Sequence, residues 1–233
     1  MMSNCTLLRW THLESAEDIA RTAAERVSRI AQHAITERGC FSLVLAGGST
    51  PAAAYAQLAT IKADWQRWHI YFGDERCLPT DHPERNSRMA AETLLSKVPI
   101  PADQIHPIPA ELGAERGAEL YSKTIHSALP FDLVLLGIGE DGHTASLFPD
   151  HEESAATPVI AVHQAPKPPA DRISLSSTTL GNCRQLIYLV SGTGKQTAVH
   201  RWMEGDPLPV SRIQSMGESE VLIDRDAMPA NTP

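Results

Sequence analysis

The chain has little cysteine, no surplus of positive charge and no long apolar run. Its four cysteines, Cys5, Cys40, Cys77 and Cys183, stand far apart without paired spacing. Neither a zinc ribbon nor a disulfide framework is therefore suggested, and reduced thiols are expected. The formal net charge is −8 and the pI near 5.7. That balance argues against a nucleic-acid or anionic-membrane surface, while leaving room for a local basic pocket and a small anionic ligand. No run approaches a membrane span, and the opening MMSNCTLLRW lacks a basic region followed by a long apolar core. A cytoplasmic protein is the expectation.

Several signatures are missing or broken. There is no Gly-x-Ser-x-Gly elbow for a covalent serine route, and no His-Glu-x-x-His; His151-Glu152 stands alone and gives little reason for a metal. Gly137-x-Gly139-x-x-Gly142 matches the dinucleotide fingerprint literally. However, Pro149 would end the following helix after about two turns, and the strand predicted at Val159 to His163 ends without an acidic residue for a ribose. Gly194-Lys195 resembles the end of a P-loop, but Leu189 stands where the first glycine belongs and Gln196 replaces the required Ser or Thr.

What is present is a recurring unit of apolar strand, glycine, polar cluster and helix. With 233 residues and 42% hydrophobic content, a sizeable core can be buried, and one domain over 1–233 is expected. An opening strand at Leu7 to Trp10 precedes a helix that Ser15 and Asp18 cap, that Gly39 stops, and whose apolar face is Ile19, Ala23, Val27, Ile30 and Ala34. Strands are predicted at Cys40 to Ala46, Trp68 to Phe72, Phe131 to Ile138, Val159 to His163, from Ile173, and at Gln185 to Ser191, with a short one near Ile105. Helices are predicted at Ala52 to Ala59 behind a Thr50 cap, Ser87 to Ser96, Ala114 to Leu129, after Gly142, and from Gly192 to Glu204. Ala227 to Pro233 reads as a frayed tail.

The strand ends supply the candidate site. Phe131 to Ile138 is nearly all apolar, as in a strand covered on both faces, and it runs into glycines followed by Asp141, His143 and Thr144. Loops at such strand ends are where open α/β sheets bind ligands. Asp141 either orients the His143 imidazole or caps a helix through the Thr144 N–H. Gly47, Gly48 and Ser49, ahead of Pro51, leave backbone N–H groups at a positive helix end, suited to a phosphate or an oxyanion, although a plain strand-to-helix turn has the same sequence. Asp74-Glu75-Arg76 alone reads as a solvated turn. In this setting Arg76 can clamp phosphate, and Asp74 can serve as base or as acceptor for sugar hydroxyls. Three prolines, Pro166, Pro168 and Pro169, flank Lys167 and hold it stiffly, whether to aim it or merely to form a rigid surface connection.

Taken together, LAGGSTP (45–51), YFGDER with Asn86-Ser87, LLGIGEDGHTASLFP (135–149) and APKPPADRIS (165–174) resemble the 6-phosphogluconolactonase family, in family order and across most of the chain. The resemblance implies a Rossmann-like three-layer α/β/α fold with a mostly parallel sheet, of the deaminase/ribose-phosphate-isomerase type, and no cofactor. LAGGSTP is shared with glucosamine-6-phosphate deaminases. Arg76, where those usually carry an aromatic residue, and Thr144 to Pro149, where they carry a catalytic Glu, depart from the deaminase pattern. A sugar-phosphate-binding sensor that kept the pocket is the non-enzymatic alternative. The expected reaction is hydrolysis of a 6-phosphogluconolactone in the pentose phosphate pathway. His143 is expected as general base, Asp141 as its orienter, Arg76, Lys167 and Arg172 as phosphate partners, and Asn86 for hydroxyl contacts. Gly47, Gly48 and Ser49 face either the oxyanion or the sugar. A monomer or weak homo-oligomer is expected.

Overall fold

The computed structural model describes residues 8–151 and 157–229. Cys5, Leu7, Glu152 and the end of the predicted tail lie outside them. The elements are β1 (Leu8–Leu13), α1 (Ala16–Arg38), β2 (Phe41–Leu45), α2 (Ser49–Leu58), β3 (Trp68–Phe72), β4 (Asp74–Arg76), α3 (Asn86–Ala90), α4 (Ala114–Ile125), β5 (Phe131–Leu136), β6 (Val159–Val162), β7 (Arg172–Leu175), α5 (Ser177–Gly181), β8 (Cys183–Val190), α6 (Gln196–Met203) and β9 (Glu218–Asp224). Six strands form a sheet in the order β1-β9-β8-β5-β2-β3, every adjacent pair parallel. A parallel sheet flanked by helices buries both faces, and every residue of β5 (FDLVLL) is buried accordingly.

Helix α1 forms as its sequence dictates. The Ser15 hydroxyl accepts from the Asp18 N–H, Gly39 closes the helix by donating to the Ile35 carbonyl, and Ile19, Ala23, Val27, Ile30 and Ala34 are buried at helical spacing. From β2 the backbone passes to β3 on one side, and β5 then pairs with β2 on the other. The loops after β2 and β5 therefore diverge, opening a crevice at the C-terminal strand ends where the order reverses.

A second sheet, β4-β7-β6, is antiparallel and was not foreseen. Its strands are only three or four residues long, too short for a clear alternating pattern. The apolar residues of both sheets join one continuous core.

Other expectations change. Helix α2 starts at Ser49 behind Gly48, so Thr50 is not its cap; the Thr50 hydroxyl lies 2.8 Å from Ser191 Oγ instead. No helix follows Gly142. Thr144 Oγ1 donates to the Gly137 carbonyl, the Gly139 N–H donates to the His143 carbonyl, and Thr144 bridges Leu147, so local bonds keep the loop folded back on the strand end. Helix α3 gives way to a π turn at Ala91–Leu95, α4 stops at Ile125, and the predicted strand near Ile105 is a single bridge to Ile70. Beyond α6 the backbone returns as β9 along β8, and Ala227, read as tail, is fully buried with its N–H on Asp224. Among the described residues no helix is long and apolar enough to cross a membrane.

Candidate active site

A cavity of about 400 Å³ opens at the crevice between the β2 and β5 loops, bounded by the β3–β4 turn, the proline-rich loop before β7 and the loop before α6. Of the residues singled out from sequence, Gly47, Gly48, Asp74, Arg76, Asn86, His143, Lys167 and Arg172 line it. Ser49 and Asp141 do not: Ser49 is the first residue of α2, and Asp141 supports His143.

Both candidate roles of Asp141 had a physical basis, and the contacts favour the one toward histidine. Asp141 Oδ1 accepts from the His143 backbone N–H at 3.1 Å and meets the ring Nδ1 at 2.5 Å. Burial acts to raise the Asp141 pKa, yet the His143 N–H and imidazole outweigh it and hold the carboxyl below its ordinary value. A carboxylate on Nδ1 fixes the tautomer and leaves Nε2 for the pocket, and among the described residues Nε2 has no hydrogen-bond partner. The imidazole is 18% exposed and leans on Phe148, 4.9 Å between ring centroids. It can pack there because residue 139 is glycine: a Cβ at that position would collide with His143 Nδ1 and Cε1.

The DER segment is the opposite of a solvated turn. Asp74 is buried, accepting from Ser146 Oγ at 2.6 Å and Asn86 Nδ2 at 3.0 Å. Burial raises its pKa against the Ser146 hydrogen bond and the pull of Arg76. Glu75 is fully buried and spends its carboxylate on the N–H groups of Arg76, Asn86 and Ser87 and on the guanidinium of Arg85. It anchors the start of α3 and so places Asn86, whose amide would collide with a Cβ at Gly47. No local pattern marks Glu75 and Arg85 as buried, because the ion pair that permits their burial joins residues ten apart in the sequence.

The cations divide. Arg172 is buried, with Nε and Nη2 donating to the carbonyls of Pro169, Lys167 and Pro168, so it braces the proline-rich loop while its guanidinium carbon sits 5.7 Å from the Phe148 ring centre. Burial lowers its pKa, Asp74 opposes this and Arg76 adds to it. Arg76 Nη1 donates to the Glu84 carbonyl, and its Nε is buried without a partner among the described residues. Lys195 also lines the cavity and was missed as a site residue, having entered only through the failed P-loop match. Its place after a strand, on a glycine-rich turn, was the signal that could have found it.

The sheet-end crevice and its contents define an α/β protein that combines a carboxylate-bound imidazole with converging cations. Residues 14–223 match the family model described as glucosamine-6-phosphate isomerases/6-phosphogluconolactonase. The 6-phosphogluconolactonase of Synechocystis is 36% identical over 207 residues, covering 83% of this chain and 86% of that protein. The human 6-phosphogluconolactonase is 34% identical over 217 residues, covering 86% and 84%. A crystal structure of 6-phosphogluconolactonase from Thermotoga maritima superposes with a TM-score of 0.88 at 28% identity, covering 94% of this chain and all of that one. The chain belongs to the glucosamine-6-phosphate isomerase/6-phosphogluconolactonase family.

Proposed function

We propose that the protein is a 6-phosphogluconolactonase, hydrolysing 6-phospho-D-glucono-1,5-lactone to 6-phosphogluconate in the oxidative pentose phosphate pathway, with His143 as general base. The observation that carries this reading is the Asp141–His143 pair at the mouth of a pocket lined by Arg76, Lys167, Arg172 and Lys195. Relatives bearing that name support the same reaction.

Nε2 of His143 takes a proton from water as the water oxygen bonds to C1, and Asp141 stabilises the imidazolium that forms. The tetrahedral intermediate then collapses: the bond from C1 to the ring oxygen breaks, and the imidazolium returns its proton to that oxygen. The product acid ionises, releasing one proton per turnover. No step in this scheme calls on a cofactor. Arg76, Lys167 and Arg172 hold the phosphate, joined by Lys195. An unmet buried donor such as Arg76 Nε costs about 1–3 kcal/mol, which an anionic ligand would relieve. Asp74 and Asn86 contact sugar hydroxyls, and the N–H groups of Gly47, Gly48 and Ser49 at the start of α2 serve the oxyanion or the sugar.

The test is acid release from freshly prepared lactone, corrected for an enzyme-free blank, beside ammonia release from glucosamine 6-phosphate. Catalysed acid release without ammonia is expected. Ammonia without lactone turnover would replace the reading with a deaminase, and ligand-induced thermal stabilisation without either product would replace it with a sensor.

A further inference from the structure

Glu140 precedes Asp141 in the loop after β5, and the hydrolytic scheme gives it no role. Its Oε2 lies 3.5 Å from the ammonium of Lys167, which lines the pocket from the proline-rich loop. Its other oxygen rests against Gly194, where an added Cβ would stand 3.4 Å away, immediately before Lys195. Glu140 is therefore paired with one pocket lysine and lies beside the turn that carries the other. Burial lowers the pKa of Lys195, Glu140 acts against that shift, and Lys167 adds to it.

The side chains of Glu140 and Lys167 are 63% and 53% exposed, so the pair contributes little to folding. Its consequence is for ligands. An arriving phosphate must either displace the carboxylate or share the lysines with it, and nothing buries Glu140 against swinging out into water.

We propose that Glu140 is a resident counter-ion of the anion subsite, a specificity-determining residue that pairs with Lys167, beside the turn carrying Lys195, when the pocket is empty and yields to the substrate's phosphate. It rests on the sugar-phosphate reading of this pocket. Glu140 thereby lowers affinity for anions in general, keeps free inorganic phosphate from holding the pocket, and disfavours the product, which carries one more negative charge than the lactone. An exposed carboxylate paired with a pocket ammonium is a built-in competitor whose strength falls as salt screens it.

The experiment compares the full-length protein with Glu140→Gln, an exposed and nearly isosteric change. Binding of inorganic phosphate is measured by calorimetry at low and high ionic strength, and lactone kinetics are measured alongside. The variant should bind phosphate about two- to fivefold more tightly at low salt, the range expected for one partly exposed charge. The difference should shrink at high salt, and KM rather than kcat should fall. In a Lys167→Met background the gain should be largely lost. Equal phosphate affinity in the two proteins, weaker binding by the variant, or no measurable phosphate binding by either would overturn the proposal. Weaker binding would mean that Glu140 holds Lys167 in place for the ligand. Failure of the wild type to hydrolyse lactone would sink the lactonase reading instead, because the phosphate comparison does not depend on turnover.

Discussion

The two ends of the parallel sheet are both charged, and they differ in whether the charges are used up. At the N-terminal end of β5, Asp132 accepts from Arg38, from the Ser42 N–H and from Ser42 Oγ, and pairs with Arg184. On β9, beyond β8, Glu220 holds Arg9, Arg26 and the Thr11 hydroxyl. At the C-terminal end, among the described residues, His143 keeps Nε2 without a partner, Arg76 keeps a buried Nε unmet, and Lys167 pairs only with the exposed carboxylate of Glu140. Saturated clusters tie elements together, whereas unsaturated ones are held ready for a ligand. Substitutions at one end should therefore act on stability, and at the other on turnover and affinity.

Short of deleting the imidazole itself, the largest effects should come from moving it. Gly139→Ala forces the ring out of its seat, and kcat should fall about a hundredfold in the lactone assay, as small misplacements of reacting groups do. Asp141→Asn should lower kcat by a comparable factor, about ten- to a hundredfold, because the carboxylate no longer orients the ring or favours its charged form. Lys167→Ala should leave kcat nearly intact and raise KM about tenfold, the value of one hydrogen bond to a charged group. At the opposite end, Asp132→Ala should cost about 1–3 kcal/mol in urea denaturation by stranding the Ser42 N–H, with KM unchanged. A change in KM or kcat there that exceeds the loss of folded protein would break the comparison.

The smallest effect concerns pH. His163 lies between Asp171 and Glu115, each 2.8 Å from a ring nitrogen, and the hydrogen bond to Asp171 is the largest of the causes that raise its pKa. A raised folded-state pKa means the clamp contributes fully below about pH 6.5, the unfolded value, and is lost as pH rises through the folded one. The stability gap between wild type and His163→Ala, followed by thermal melts, should therefore close on the alkaline side. A gap that widens with pH would contradict this.

Much of the parallel sheet was legible in the sequence because its central strands are apolar runs that end in glycine, and α1 was legible because its caps and stripe coincide. The same strand-end rule located most of the cavity lining. What escaped depended on distant partners. The DER segment reads as surface until Arg85 and the start of α3 neutralise Glu75. Strand β9 (ESEVLID) opens with two acidic residues around a serine, and its burial follows only from β1 and β8 on either side. The loop after Gly142 looks like a helix start until Thr144 spends its hydroxyl on the Gly137 carbonyl.

The most direct measurement is proton release from fresh 6-phosphogluconolactone by wild type and His143→Ala, followed by stopped flow at matched protein concentration with the spontaneous rate subtracted. The account predicts that kcat falls about a hundred- to ten-thousandfold while substrate affinity changes little. Near-wild-type turnover by the variant would contradict it.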